Sequence, residues 1–153
     1  MLASRRTRLL LLIAGAVTVL APVSAHAGMT RAQYIQRADA ICAKAIAQTH
    51  AIGVVPTVSA WGGPAGTHLL AIDRSALTSL SALPLPGPDA ASLRRLLAGA
   101  AATVNETSRA IAKAKAGDAA GFRARAAIVG QLTNRYQAGA RAYGFHTCQH
   151  WGS

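Results

Sequence analysis

Two cysteines, Cys42 and Cys148, are the whole cysteine content of this 153-residue chain, and they stand near its opposite ends. If they pair, everything between them must fold so that the two ends meet. The compartment decides whether they pair, and the first 27 residues carry the address. Arg5, Arg6 and Arg8 precede an apolar run from Leu9 to Leu20, and Ala25-His26-Ala27 places small residues at a signal-peptidase site. This is the pattern of a cleaved secretory leader, residues 1–27, followed by a domain of residues 28–153 beginning at Gly28. Leu9 to Val23 falls short of the roughly 20 residues a spanning helix needs. Arg8 sits where the twin-arginine pattern wants an apolar residue, so the general secretory route fits better. No cysteine follows the apolar run to take a lipid anchor. The expected location is therefore secreted or extracytoplasmic. There a minimal even set of cysteines reads as a disulfide. By loop-closure entropy, bridging about 100 residues contributes roughly 4–5 kcal/mol, a large share of the ~5–15 kcal/mol that a domain of this size has in total.

Helical periodicity fills the span between the cysteines. Thr30 with Gln33 three residues on makes a capping box. Tyr34, Ala38, Ile41, Ala45 and Ile52 then recur at three- and four-residue steps, up to a stop at Gly53 and Pro56. Cys42 falls at the edge of that stripe. Thr57 to Gly66 is predicted as a loop, and its Gly62-Gly63-Pro64-Ala65-Gly66-Thr67 lacks the lysine of a phosphate loop, which leaves a flexible turn. A second helix is expected from about Thr67 to Leu83, with Leu69, Ile72, Ala76 and Leu80 on one side. Pro84-Leu85-Pro86-Gly87-Pro88 ends it. Asp89 is placed to cap a third helix carrying Leu93, Leu97, Ala100, Val104 and Ile111. Gly117 closes that helix, and Asp118 caps a fourth with Phe122, Ala126, Val129, Leu132, Tyr136, Ala140 and Tyr143. Short linkers make sequential helices antiparallel neighbours, so the expected fold is all-α, an up-down-up-down four-helix bundle closed by one disulfide. Cys42 lies about 18 Å along the first helix from Thr30. Four or five extended residues after the fourth helix cover ~15 Å, so the tail Phe145 to Cys148 can reach it.

Four segments carry a resemblance: Tyr34-Ile35-x-x-Ala38-Asp39-x-Ile41-Cys42, Leu80-x-x-Leu83-Pro84-x-Pro86, Lys115-x-Gly117-Asp118 and Tyr143-Gly144-Phe145-x-x-Cys148. In order and spacing the chain resembles small exported helical proteins of high-GC actinobacteria that remain uncharacterised. The resemblance implies an extracytoplasmic helical domain with its terminal cysteines paired, and no established activity. Many such relatives have a cysteine directly after the apolar run; this chain has Gly28 there, which favours a released protein.

The residue inventory excludes most chemistry. Asp39, Asp73, Asp89, Glu106 and Asp118 are the only carboxylates, and a single glutamate cannot build the paired Glu-x-x-His motifs of a di-iron bundle. No Gly-x-Ser-x-Gly elbow is present, and a thiol held in a disulfide is no nucleophile. No catalytic set remains, and an enzyme is not expected. Two clusters stay open. His146 and His150 flank Cys148, and with His68 or a tyrosine they would form a Cu, Zn or haem site; two ligands alone are too few for a closed one. Arg123, Arg125, Arg135 and Arg141 on the fourth helix form a candidate anion-binding set. The formal charge of +11, from 16 basic and 5 acidic residues, favours anionic surfaces. It falls by three when Arg5, Arg6 and Arg8 leave with the leader. No aromatics interleave with the bases as in a nucleic-acid groove, so nucleic acid is not an expected partner. The expected function is an exported, non-enzymatic binding or structural domain at the cell envelope, taking anionic cell-wall polymer or lipid. The alternative is a metal or haem carrier.

Intact-mass and peptide analysis of the exported protein checks the leader. A mature chain beginning at Gly28 is expected, without alkylatable thiols. Retention of Met1 to Ala27 on the exported chain would refute the cleavage.

Overall fold

The structure is a computed structural model that describes residues 29–152. The expected leader, residues 1–27, lies outside the described residues. Those residues are all helical apart from turns and connections: α1 (Arg31–Ile52), α2 (Val58–Gly62), α3 (Pro64–Ser81), α4 (Ala90–Lys115) and α5 (Ala119–Tyr143), with 3₁₀ turns at Gly87–Asp89 and Cys148–His150. None of these helices is long and apolar enough to cross a membrane.

Helix starts follow the local chemistry with one exception. Thr30 accepts from the Gln33 N–H while the Gln33 side chain accepts from the Thr30 N–H, the reciprocal bonds of a capping box. Asp118 accepts from the Gly121 N–H at 2.7 Å and pairs with Lys113 at 3.1 Å, tying the end of α4 to the start of α5. Asp89 is the exception. It makes no side-chain capping bond; its Oδ2 instead accepts from the Tyr143 hydroxyl at 3.0 Å. Asp89 ends the 3₁₀ turn Gly87–Asp89 with φ −98° and ψ −3°, not the extended backbone from which a capping side chain reaches the N–H groups ahead of it.

Five helices form where four were expected. The segment Thr57 to Gly66 is not a loop: Thr57 caps α2 by accepting from the Ala60 N–H, and α3 begins at Pro64, a residue suited to a first helical turn. Its glycines are there for close approach rather than flexibility. A Cβ on Gly62 would lie 2.8 Å from the Ala114 carbonyl carbon, and one on Gly66 would lie 2.0 Å from the Trp61 carbonyl oxygen. α2 is thereby pressed onto both α3 and the end of α4.

The core runs through Tyr34, Ala38, Ile72, Leu80, Leu93, Val104, Tyr136 and Ala140. Cys42, expected at the edge of the α1 stripe, is fully buried within it. Cys42 and Cys148 form the disulfide, with Cα atoms 5.1 Å apart and a separation of 106 positions in sequence. Around the bond is a clasp that joins α1, α5 and the tail. Tyr143 meets Tyr34 edge-on, and Phe145 packs against both rings. The Arg31 guanidinium lies 4.4 Å over the Tyr143 ring and donates to the Tyr143 carbonyl. Gly144 turns the tail back at φ 103°, a conformation that L side chains resist. Asp39 then receives the returning backbone: its carboxylate accepts from the N–H groups of His146, Thr147 and Cys148 at 2.9–3.0 Å.

Asp39 is therefore the polar half of the clasp. Asp39→Ala leaves three tail N–H groups without their charged acceptor and is expected to cost about 2–3 kcal/mol. Urea unfolding under oxidising conditions measures it. A loss below about 0.5 kcal/mol, the scale of a surface substitution, would mean the disulfide holds the tail unaided.

Candidate functional site

Below the clasp, the interior opens instead of closing. The apolar stripe expected along the last helix is buried only in its second half, at Tyr136, Ala140 and Tyr143, with Thr133 buried in place of Leu132. Its first half, Phe122, Ala126 and Val129, lines a cavity of about 390 Å³ shared with α1, α3, α4 and the tail. The physical cause lies in the side chains. Ala, Val and Thr on the facing helices are too small to fill the space between them. Aromatic residues make up only 5% of the chain, so little bulk is available to fill it.

The walls are apolar and partly aromatic. Ile46 of α1, Leu69 of α3 and Ile111 of α4 contribute aliphatic surface, and Trp61, Phe122 and Trp151 contribute rings. Trp61 and Phe122 pack with centroids 6.0 Å apart, joining α2 to α5 at one side. Trp151 stands edge-on to Tyr136 at 5.5 Å and brings the C-terminal tail into the wall. The clasp and the cavity are thus one construction: pairing Cys148 with Cys42 is what delivers Trp151. The polar groups are few. Thr103 and Thr107 are among them; each donates its hydroxyl within its own helix, to the Gly99 and Thr103 carbonyls, and keeps acceptor capacity on its oxygen. His50 lies at the exposed end of α1.

Asp73 is the ionisable group in the α3 wall. Its Oδ1 accepts from the Trp151 indole N–H at 3.0 Å. Burial pushes its carboxyl above the usual range, and the Trp151 bond opposes that push. The ion pairs among the described residues are Arg109 and Arg125 on Glu106, and Lys113 on Asp118. None involves Asp73.

The residues singled out from sequence are dispersed. His146 and His150 sit exposed on the tail and His68 exposed on α3. No three His, Cys, Asp or Glu side chains gather as a metal site among the described residues. The His146 N–H is bonded to Asp39. Arg125 does not face an external anion; it donates to the buried Glu106 at 2.8 Å, and that bond, chiefly, holds Glu106 below the usual carboxylate range. Arg141 donates to Gln149. Arg123 and Arg135 are exposed. Along α5, Arg123 and Arg141 share a side about 27 Å apart, with Arg125 nearly opposite. The four do not form one compact anion site.

Sequence reasoning passed over Asp73 and Trp151. The signal for Asp73 was present: it stands four residues after Leu69 and three before Ala76, on the buried face of its helix. Trp151 gave none, because only the folded tail brings it to α3. Compared with known proteins, the chain matches no family model, no curated protein and no solved structure.

A carboxyl with a raised folded pKa holds its proton more tightly folded than unfolded, so the fold loses stability as pH rises through that range. Asp73→Asn keeps an oxygen for Trp151 and removes the buried charge. Its Tm is expected to exceed that of the wild type at about pH 7, with the gap closing near pH 4, around the ordinary aspartate value. Thermal unfolding at both pH values measures it. A lower Tm at neutral pH would show that Asp73 is structurally required in charged form.

Proposed function

We propose that the protein is an exported, non-catalytic binding domain of the cell envelope that holds a small apolar or amphipathic ligand in the cavity between α1, α3, α4 and α5. The cavity carries this reading. Its volume of about 390 Å³ falls within the ~300–1,000 Å³ of small-molecule sites, and its composition, apolar walls with a few placed polar groups, is theirs as well. An open apolar space forfeits the dispersion contacts that close packing supplies, and an apolar ligand regains them. Four of the five acids have structural duties: Asp39 holds the tail, Asp89 receives Tyr143, Glu106 pairs with two arginines and Asp118 caps α5. That distribution supports binding rather than acid–base catalysis. The leader pattern and the disulfide support an extracytoplasmic place, as does the resemblance to small exported actinobacterial proteins. The up-down-up-down order inferred from the short linkers is the arrangement that sets the end of α1 across from the start of α5, where the cavity lies.

The basic charge left once Arg5, Arg6 and Arg8 depart with the leader, three below the formal +11, favours a second mode, docking of the exposed Arg123, Arg135 and Arg141 on anionic cell-wall polymer or lipid. In that combination the basic surface keeps the protein at the envelope and the cavity carries the cargo.

A neutral fluorescent probe such as N-phenylnaphthylamine tests the cavity. Saturable enhancement with one site per chain is expected, and Ala126→Trp, which fills the space, should weaken it at least about tenfold, the worth of some 1.4 kcal/mol. Equal binding by a folded Ala126→Trp variant would place the probe elsewhere. Co-sedimentation with anionic vesicles tests the surface mode, and it should fall steeply between about 0.05 and 0.5 M salt.

A further inference from the structure

Of all the carboxylates among the described residues, Asp73 alone faces the cavity. Glu106 takes two arginines and Asp118 takes a lysine. Asp39 takes three backbone N–H groups. Asp89 takes a tyrosine hydroxyl at the clasp, where Arg31 and Arg95 line the same groove. Asp73 has the Trp151 indole on Oδ1, and no salt bridge. The cavity it faces is lined as well by the rings of Trp61, Phe122 and Trp151 and by threonines of α4 and α5.

We propose that the ligand is an organic cation, an amphiphile whose ammonium group binds the Asp73 carboxylate while its apolar part lies against Trp61, Phe122 and Ile111. This rests on the cavity reading above and names the ligand class for it. Two physical arguments converge. A half-buried carboxylate is attracted to a cation more strongly than one in water, because the low-dielectric walls screen less. An anionic amphiphile would bring like charge beside Asp73 in the same medium, which disfavours it. The threonine lone pairs serve the same end, as acceptors for ammonium protons. The net positive charge of the chain opposes the approach of a cation, but at about 0.15 M salt that field decays within ~8 Å, and contact with Asp73 decides the affinity. The burial that raises the Asp73 carboxyl is offset when a cation arrives, so binding and ionisation support one another.

Displacement of N-phenylnaphthylamine from the purified protein by decylammonium, decanol and decanoate, at about 0.15 M salt, separates the two levels of the proposal. Decylammonium is expected to displace the probe at least tenfold more effectively than decanol, with decanoate weakest. With the decanol and decylammonium potencies compared on the same variant, Asp73→Asn should reduce the decylammonium advantage to less than threefold. Equal potency of decanol and decylammonium would overturn the cation assignment and leave the apolar cavity standing, as would an advantage that survives Asp73→Asn. A probe that does not bind, together with no heat on calorimetric titration with decylammonium, would overturn both.

Discussion

The disulfide between Cys42 and Cys148 is a constraint on two ends of the chain at once, and the remainder of the structure is arranged to make it possible. A crosslink spanning 106 residues restricts the unfolded ensemble strongly, but it forms only if the tail after α5 is returned to the middle of α1. Gly144 supplies the turn, the Tyr34–Tyr143–Phe145 cluster supplies apolar contact, and Asp39 supplies an acceptor for three successive backbone N–H groups. Each acts on the few residues that connect the last helix to Cys148. The tail that results is ordered as far as Trp151, which is 6% exposed.

That ordering matters because the helices do not close on themselves. A bundle rich in alanine can bring its backbones close together where glycine permits, as at Gly62 against α4, and there the packing is tight. Elsewhere the same small side chains leave space. α1 and α5 meet at the clasp, and lower down Ile46 and His50 face Phe122 and Val129 across the cavity. Trp151 stands in its wall, oriented by Asp73 and Tyr136. The part of the chain that secures the fold also shapes the candidate site.

Much of the architecture was legible in the residues. Thr30 with Gln33, Gly53, the Pro84–Pro88 break, Gly117 with Asp118, and Gly144 mark helix ends by local chemistry, and local chemistry prevailed at each of them. The errors share a cause. Asp89 looks like a cap, yet a tyrosine 54 residues away claimed it. Gly62 to Gly66 looks like a flexible turn, yet close approach to Trp61 and α4 required glycine within helical backbone. Glu106 gives no local sign of burial, yet it is buried, with Arg125 of α5 donating to it. A carboxylate or a glycine has both a local and a long-range use, and a single sequence shows only the local one.

What the sequence by itself determined is the all-helical class and the positions of most helix ends, because these follow from periodicity and capping that act over a few residues; the disulfide expected of its two cysteines is present as well. The tertiary structure alone decided that the interior would remain open along the first half of α5, that Asp73 would face that space, and that Trp151 would wall it. Those outcomes depend on side-chain volumes summed across four helices and a returning tail. Volume deficits belong to no single segment. They exist only once the segments are packed, which is why the apolar stripe Phe122, Ala126, Val129 reads in sequence as core and stands in the fold as the lining of a cavity.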